Sequence, residues 1–101
     1  MRGLLSTASD TPGAPGGQWS SARYELDPDV ALRPEAFGAL AYHYGTRRLT
    51  FLRSPLLADV VRRLGEHDSV EAALEGVPDG SRPALRRALG ALAESHFIRP
   101  C

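Results

Sequence analysis

The chain has 101 residues, and its 12 basic residues balance 12 acidic ones. That neutrality gives no general pull toward nucleic acid or an anionic membrane, and the length allows one modest core. The only cysteine, Cys101, can neither close an internal disulfide nor supply a thiolate cluster, which fits a reducing cytoplasm. Met1-Arg2-Gly3-Leu4-Leu5 is too short an apolar run for a signal peptide or a membrane span, so export and membrane insertion are not expected. All the basic side chains are arginine, as a GC-rich coding bias would give; the same choice favours forked contacts to carboxylates.

Residues 1–21 include Thr11-Pro12-Gly13-Ala14-Pro15-Gly16-Gly17 and lack apolar density, so burial would not offset the entropy of ordering them. They read as a disordered tail in front of a domain over 22–101. Trp19, the one large apolar side chain there, is expected to pack on the domain's edge. From Tyr24 to Leu32 the pattern is extended around an Asp27-Pro28-Asp29 turn, and gives a first strand that Pro34 should end.

Phe37 to Leu52 reads as a hairpin about a two-residue Gly45-Thr46 turn of type II′. The register that follows sets His43 against Arg48, Tyr42 against Leu49, Ala41 against Thr50 and Leu40 against Phe51. It gathers Leu40, Tyr42, Leu49 and Phe51 on one face and Ala41, His43, Arg48 and Thr50 on the other. The apolar set is expected to form the core side, with His43 exposed.

Ser54-Pro55 reads as the cap and first residue of a helix whose stripe is Leu56, Leu57, Val60, Val61 and Leu64, opposite Asp59, Arg62 and Arg63. Asp68-Ser69-Val70-Glu71 starts a short second helix that ends near Gly76. Ser81 should cap a third, with Leu85, Ala88, Leu89 and Leu92 buried, His96 on the same side, Arg82 and Arg86 beside the stripe and Arg87 pointing away. Three strands followed by three helices make a small α+β, winged-helix-like domain with a three-stranded antiparallel sheet.

No chemistry gathers in this pattern. The carboxylates sit at turns and helix starts, where the helix dipole favours them. His43, His67 and His96 fall in three elements without ligand spacing. Neither a Gly-x-Ser-x-Gly elbow nor a phosphate loop occurs. The expectation is a non-catalytic protein without metal or cofactor, in which arginines at 47, 48, 53, 82 and 86 border a sheet and a helix.

The run Arg33-Pro34-Glu35-Ala36-Phe37-Gly38-Ala39-Leu40-Ala41-Tyr42-His43-Tyr44-Gly45-Thr46-Arg47-Arg48-Leu49-Thr50-Phe51-Leu52-Arg53-Ser54-Pro55, and above all its Gly-Thr-Arg-Arg-Leu centre, resembles the mycofactocin peptide-binding chaperones. These are PqqD-like recognition elements of ribosomally made, post-translationally modified peptides. The resemblance extends over about residues 24–99. It implies binding of the leader of the mycofactocin precursor peptide and its presentation to a radical S-adenosylmethionine enzyme, to which the iron–sulfur cluster and adenosyl cofactor would belong.

In related elements the leader adds as a strand beside the third strand, in a cleft walled by the third helix. Mapped by position, the strand is Arg47, Arg48, Leu49, Thr50, Phe51 and Leu52. Leu49, Phe51 or Leu52 with Leu85 and Leu89 would line the pocket, and Arg48, Arg82 and Arg86 would favour acidic leader residues. Two other readings stay open: a winged-helix DNA-binding module, against which the hairpin's place before all three helices and the zero net charge argue, and a structural subunit that docks a larger protein.

Overall fold

The computed structural model describes residues 19–101; of the expected tail over 1–21, residues 1–18 lie outside them and Trp19–Ser21 form a 3-10 turn. The central feature is a three-stranded antiparallel meander. It contains β2 (Val30–Glu35), β3 (Gly38–His43) and β4 (Arg48–Leu52), with β3 in the middle and β2 and β4 as edges. A shorter strand, β1 (Tyr24–Leu26), precedes it and pairs antiparallel with the closing strand β5 (Ile98–Pro100). The helices α1 (Pro55–Arg62), α2 (Val70–Leu74) and α3 (Arg82–Glu94) lie between, joined by short 3-10 turns. The α+β class, the antiparallel sheet and the three helices are therefore as the sequence predicts.

The first extended stretch differs: it divides at Asp27-Pro28-Asp29. Asp27 Oδ1 accepts from the Asp29 N–H at 2.8 Å, and the Val30 N–H reaches back to the Asp27 carbonyl at 2.9 Å. The turn sends Tyr24–Leu26 to the chain's end and Val30–Glu35 into the main sheet. Pro34 does not end that strand but pairs with Ala39 inside it. An edge strand tolerates this, because the proline nitrogen can face away from the ladder.

The β3–β4 register is the predicted one, from His43 with Arg48 through Leu40 with Phe51, and extends to Ala39 with Leu52. The turn is not. Residues 44–47 form a four-residue loop closed by the Arg47 N–H on the His43 carbonyl at 2.8 Å, with Arg47 rather than Gly45 left-handed, at φ 60°. The faces are also reversed. Ala39, Ala41 and His43 are buried, whereas Leu49 and Phe51 are exposed. Ala39 and Ala41 occupy little depth, so α1 can approach the sheet, and the apolar bulk on this side comes from Leu57, Ala58, Val60 and Val61 of the helix.

The helix starts follow from capping. Ser54 Oγ accepts from the Leu57 N–H at 3.2 Å, with Pro55 in the first turn, and Ser69 Oγ accepts from the Ala72 N–H at 3.0 Å. Ser81 precedes α3 but makes no side-chain cap bond, because its backbone is already helical after the 3-10 turn Asp79–Ser81. Leu85, Leu89 and Leu92 of α3 are buried as expected, with Ala88 half-buried. His96 instead sits exposed just past the helix with φ 67°. There the His96 and Phe97 N–H groups bond the carbonyls of Ala93 and Leu92, a Schellman-type stop.

Trp19 packs edge-on against Tyr24, with ring centroids 5.6 Å apart, from the turn Trp19–Ser21. Ser20 anchors the same turn by donating its hydroxyl to the Glu71 carboxylate on α2.

Candidate functional site

The meander leaves one side of β4 without a neighbour, so alternate N–H and C=O groups of Arg48–Leu52 point into open space. Its sequence Arg48-Leu49-Thr50-Phe51-Leu52 alternates across the sheet. Leu52 turns inward and is buried, Leu49 and Phe51 point outward, and Thr50 is half-buried.

Where β4 ends, the chain enters a cleft of about 380 Å³ between the start of α1 and the first turns of α3. Arg53, Ser54, Leu56, Leu57, Ala84, Leu85 and Ala88 are among its walls. A second, smaller recess of about 180 Å³ lies under Phe37, Phe51 and Arg53, so Arg53 borders both.

The charges around this edge differ from those elsewhere. Arg33, Arg62, Arg63, Arg82, Arg86 and Arg99 each pair with a carboxylate within the chain, and Arg23 donates to the Gly65 carbonyl. Among the described residues, the arginines with no carboxylate or carbonyl partner are Arg87 on α3 and the three that bracket β4: Arg47, Arg48 and Arg53. Arg53 lies over the Phe51 ring, 5.3 Å from its centroid. The open edge therefore carries an unanswered positive charge at both ends.

The structure divides the residues predicted for the site. Arg48, Leu49, Thr50, Phe51 and Leu52 do form one edge, Arg47 lies just before it at the left-handed end of the loop, and Leu85 does line the cleft beside it. Leu89 is sealed in the core. Arg82 turns to α2, where its guanidinium donates to the carbonyls of Leu74, Glu75 and Val77 and ties down the end of that helix. Arg86 holds Glu71 through a two-pronged pair at 2.8 and 3.0 Å.

That hydrogen bond from Arg86, with a second from Ser20, keeps the Glu71 carboxyl below its ordinary value; the same pair raises Arg86. These two cations hold helices together instead of facing the cleft. Sequence periodicity placed them beside the α3 stripe but could not tell which neighbour lay there. Of the cleft residues only Leu85 belongs to the predicted set; Arg53, Ser54, Leu57, Ala84 and Ala88 are among those outside it. Arg53 carried a signal, since it continues the alternation of β4 past Phe51.

His43 is likewise a structural group. It is buried at the end of β3, its Nδ1 accepts from the N–H groups of Gly45 and Thr46 at 3.0 and 3.2 Å, and its ring meets Phe97 edge-on. Nε2 lies 3.9 Å from the Asp27 carboxylate. Among the described residues, no group of three or more His, Cys, Asp or Glu side chains is arranged to hold a metal ion. Nor is any described helix long and apolar enough to cross a membrane.

An open edge strand, a neighbouring apolar cleft and free arginines at both ends suit an extended peptide. The sequence comparisons agree with that geometry, since residues 23–99 match the Peptide chaperone MftB family. The chain belongs to this family. It is 42% identical to the peptide chaperone MftB of Mycobacterium ulcerans, over 99% of the chain and 95% of that relative. The Mycolicibacterium smegmatis protein of the same name is 42% identical over 76% of the chain and 78% of its own length, and that of Mycobacterium tuberculosis 40% over 76% and 72%. No solved structure matches. The family match begins at Arg23, just before β1, and ends at Arg99 in β5, so it spans the strand pair that closes the domain as well as the sheet and helices.

Proposed function

We propose that the chain is a non-catalytic recognition element. It binds the leader of the mycofactocin precursor peptide as a fourth strand along β4 and presents the rest of that peptide to a radical S-adenosylmethionine maturation enzyme. The observation that carries the reading is the open edge of β4, bracketed by the unpartnered Arg47, Arg48 and Arg53 and running into the cleft at Ser54 and Leu85.

Backbone bonds along the edge supply affinity, and the cleft and arginines select an apolar anchor next to acidic leader residues. Four backbone bonds at about 1 kcal/mol net each and two buried anchors at about 2 each give roughly 8 kcal/mol. Ordering a flexible leader removes about 2–5 of that. The remainder, roughly 3–6 kcal/mol, corresponds to a dissociation constant from millimolar down to tens of micromolar. Such a complex would tighten when the enzyme joins it.

The DNA-binding reading loses support at α3, where Arg82 and Arg86 are spent on α2 and Arg87 is left as the free cation. Calorimetry with a synthetic leader peptide tests the proposal. The exposed cleft variant Ala84→Glu and the charge reversal Arg53→Glu should each weaken binding about fivefold or more, while Asp59→Asn on the far side of α1 should not. Leader affinity indifferent to both cleft changes rejects this groove.

A further inference from the structure

We propose that the outer face of the sheet is a second docking surface. It is separate from the β4 edge and receives a folded protein with an apolar patch bordered by carboxylates; on the reading above, that protein is the maturation enzyme. The inference rests on the reversed faces of the sheet. Helices cover the side with Ala39, Ala41 and His43, and no described element packs over the other. The described chain's large exposed hydrophobics all lie on that other face or at the hairpin turns beside it: Phe37 is 41% exposed, Tyr44 63%, Leu49 51% and Phe51 49%.

Roughly half of four large side chains of about 200 Å² each is about 400 Å² of apolar surface, the size at which such a patch on a monomer marks an interaction site. It would serve as the apolar centre of an interface burying about 800 Å² per partner. The rings are already held in place, which lowers the entropy lost on docking. Phe37 meets Phe51 edge-on at 5.8 Å, and Tyr42 meets Tyr44 at 5.1 Å. The recess under Phe37, Phe51 and Arg53 can take one anchoring side chain.

Charge selects among the possible occupants. Arg53 follows the β4 alternation of Leu49 and Phe51 and lies over the Phe51 ring, Arg47 ends the loop just before β4, and Arg33, opposite Leu40 in the register, belongs to the same face. Glu35 is the carboxylate there, and it is engaged by Arg33 at 3.0 Å. A second copy laid face to face would set Arg33, Arg47 and Arg53 against their own copies, with Asp29, beside Gly45 at one end of the face, to answer three cations. A partner with an acidic rim answers them directly. Because strand addition uses groups in the plane of the sheet and docking uses side chains perpendicular to it, one chain can hold peptide and enzyme at once.

The test uses the full chain, purified enzyme and synthetic leader in two separate titrations. The pair Phe37→Asp with Tyr44→Asp, both outside β4, should weaken enzyme binding about tenfold or more. Arg47→Glu should weaken it about fivefold and flatten its salt dependence. Both variants should keep a native amide spectrum, and the Phe37→Asp with Tyr44→Asp pair should keep leader affinity within about twofold of wild type.

Enzyme binding unchanged in both overturns the proposal, as does leader binding that falls in step in the Phe37→Asp with Tyr44→Asp pair. Sedimentation showing a wild-type dimer that Phe37→Asp with Tyr44→Asp dissociates would assign the face to a second copy instead, and also overturns it. A wild-type chain that binds enzyme but no leader retires the function proposed above and leaves this face standing on its own variants. One that binds leader but no enzyme retires this face alone.

Discussion

Replacing His43 by alanine tests what holds the β3–β4 loop. The buried imidazole accepts from the Gly45 and Thr46 N–H groups and packs on Phe97, 5.7 Å between centroids. Asp29, on the neighbouring turn, accepts the Tyr44 N–H at 2.8 Å, so the loop is tied to the β1–β2 turn as well. Two hydrogen bonds at about 1 kcal/mol each would be lost, in part regained because the freed N–H groups can reach water. The ring contact adds about 0.5–1.5 kcal/mol.

The total is about 2–3 kcal/mol, or roughly 10–20 °C in melting temperature for a domain of this size. Urea unfolding followed by circular dichroism should show the midpoint falling with an unchanged slope. His43→Phe should recover the ring's share and not the acceptor's, and hydrogen exchange at Gly45 and Thr46 should accelerate in both variants. If His43→Ala costs less than about 0.5 kcal/mol, or those two amides exchange as in wild type, the imidazole is not what orders the loop.

His96 is left-handed at the stop of α3, so His96→Gly should stabilise the domain by about 1 kcal/mol in the same urea assay. Gly38 has φ 145°, and a Cβ there would run into the Leu52 carbonyl and the backbone of Ser54; Gly38→Ala should therefore cost about 3 kcal/mol or more and lower the soluble yield. Glu71, whose carboxyl is depressed in the fold by Arg86 and Ser20, contributes stability that is present above its ordinary unfolded value and lost as pH falls through the folded one. Both partners of the Glu71–Arg86 pair are more than a third exposed, so Glu71→Gln should cost only about 0.5 kcal/mol at neutral pH. The difference from wild type should vanish in melting curves taken below the range in which the folded carboxyl titrates.

Local patterns carried much of the fold. Capping at Ser54 and Ser69 is chemistry within four residues, and the pairing of Leu40 with Phe51 depends only on how many residues the loop removes. A four-residue loop over 44–47 and a two-residue turn at 45–46 leave the same strand pairs, so the register survives an incorrect turn type. What local pattern could not supply is what packs above the sheet. Counting apolar side chains puts Leu49 and Phe51 inside, but the inner face must accommodate α1, and Ala39 and Ala41 leave that room. For the same reason the arginines of α3 could be placed on a helix face but not matched with Glu71 or the end of α2, which depends on tertiary packing.

That reversal also changes what the exposed residues mean. A core of this size could have buried Leu49 and Phe51 by placing them with the parity of Thr50 and Leu52. Instead the strand keeps two large apolar side chains in water beside Arg47 and Arg53, in an arrangement that contributes little to stability and leaves an aggregation-prone edge uncovered. Alanine at both positions should accordingly leave the unfolding midpoint nearly unchanged, whereas a core truncation such as Leu52→Ala should cost about 2–5 kcal/mol. A large loss of stability from Leu49→Ala with Phe51→Ala would mean that the outer face supports the fold itself, and the case for its recruitment by a partner would fail with it.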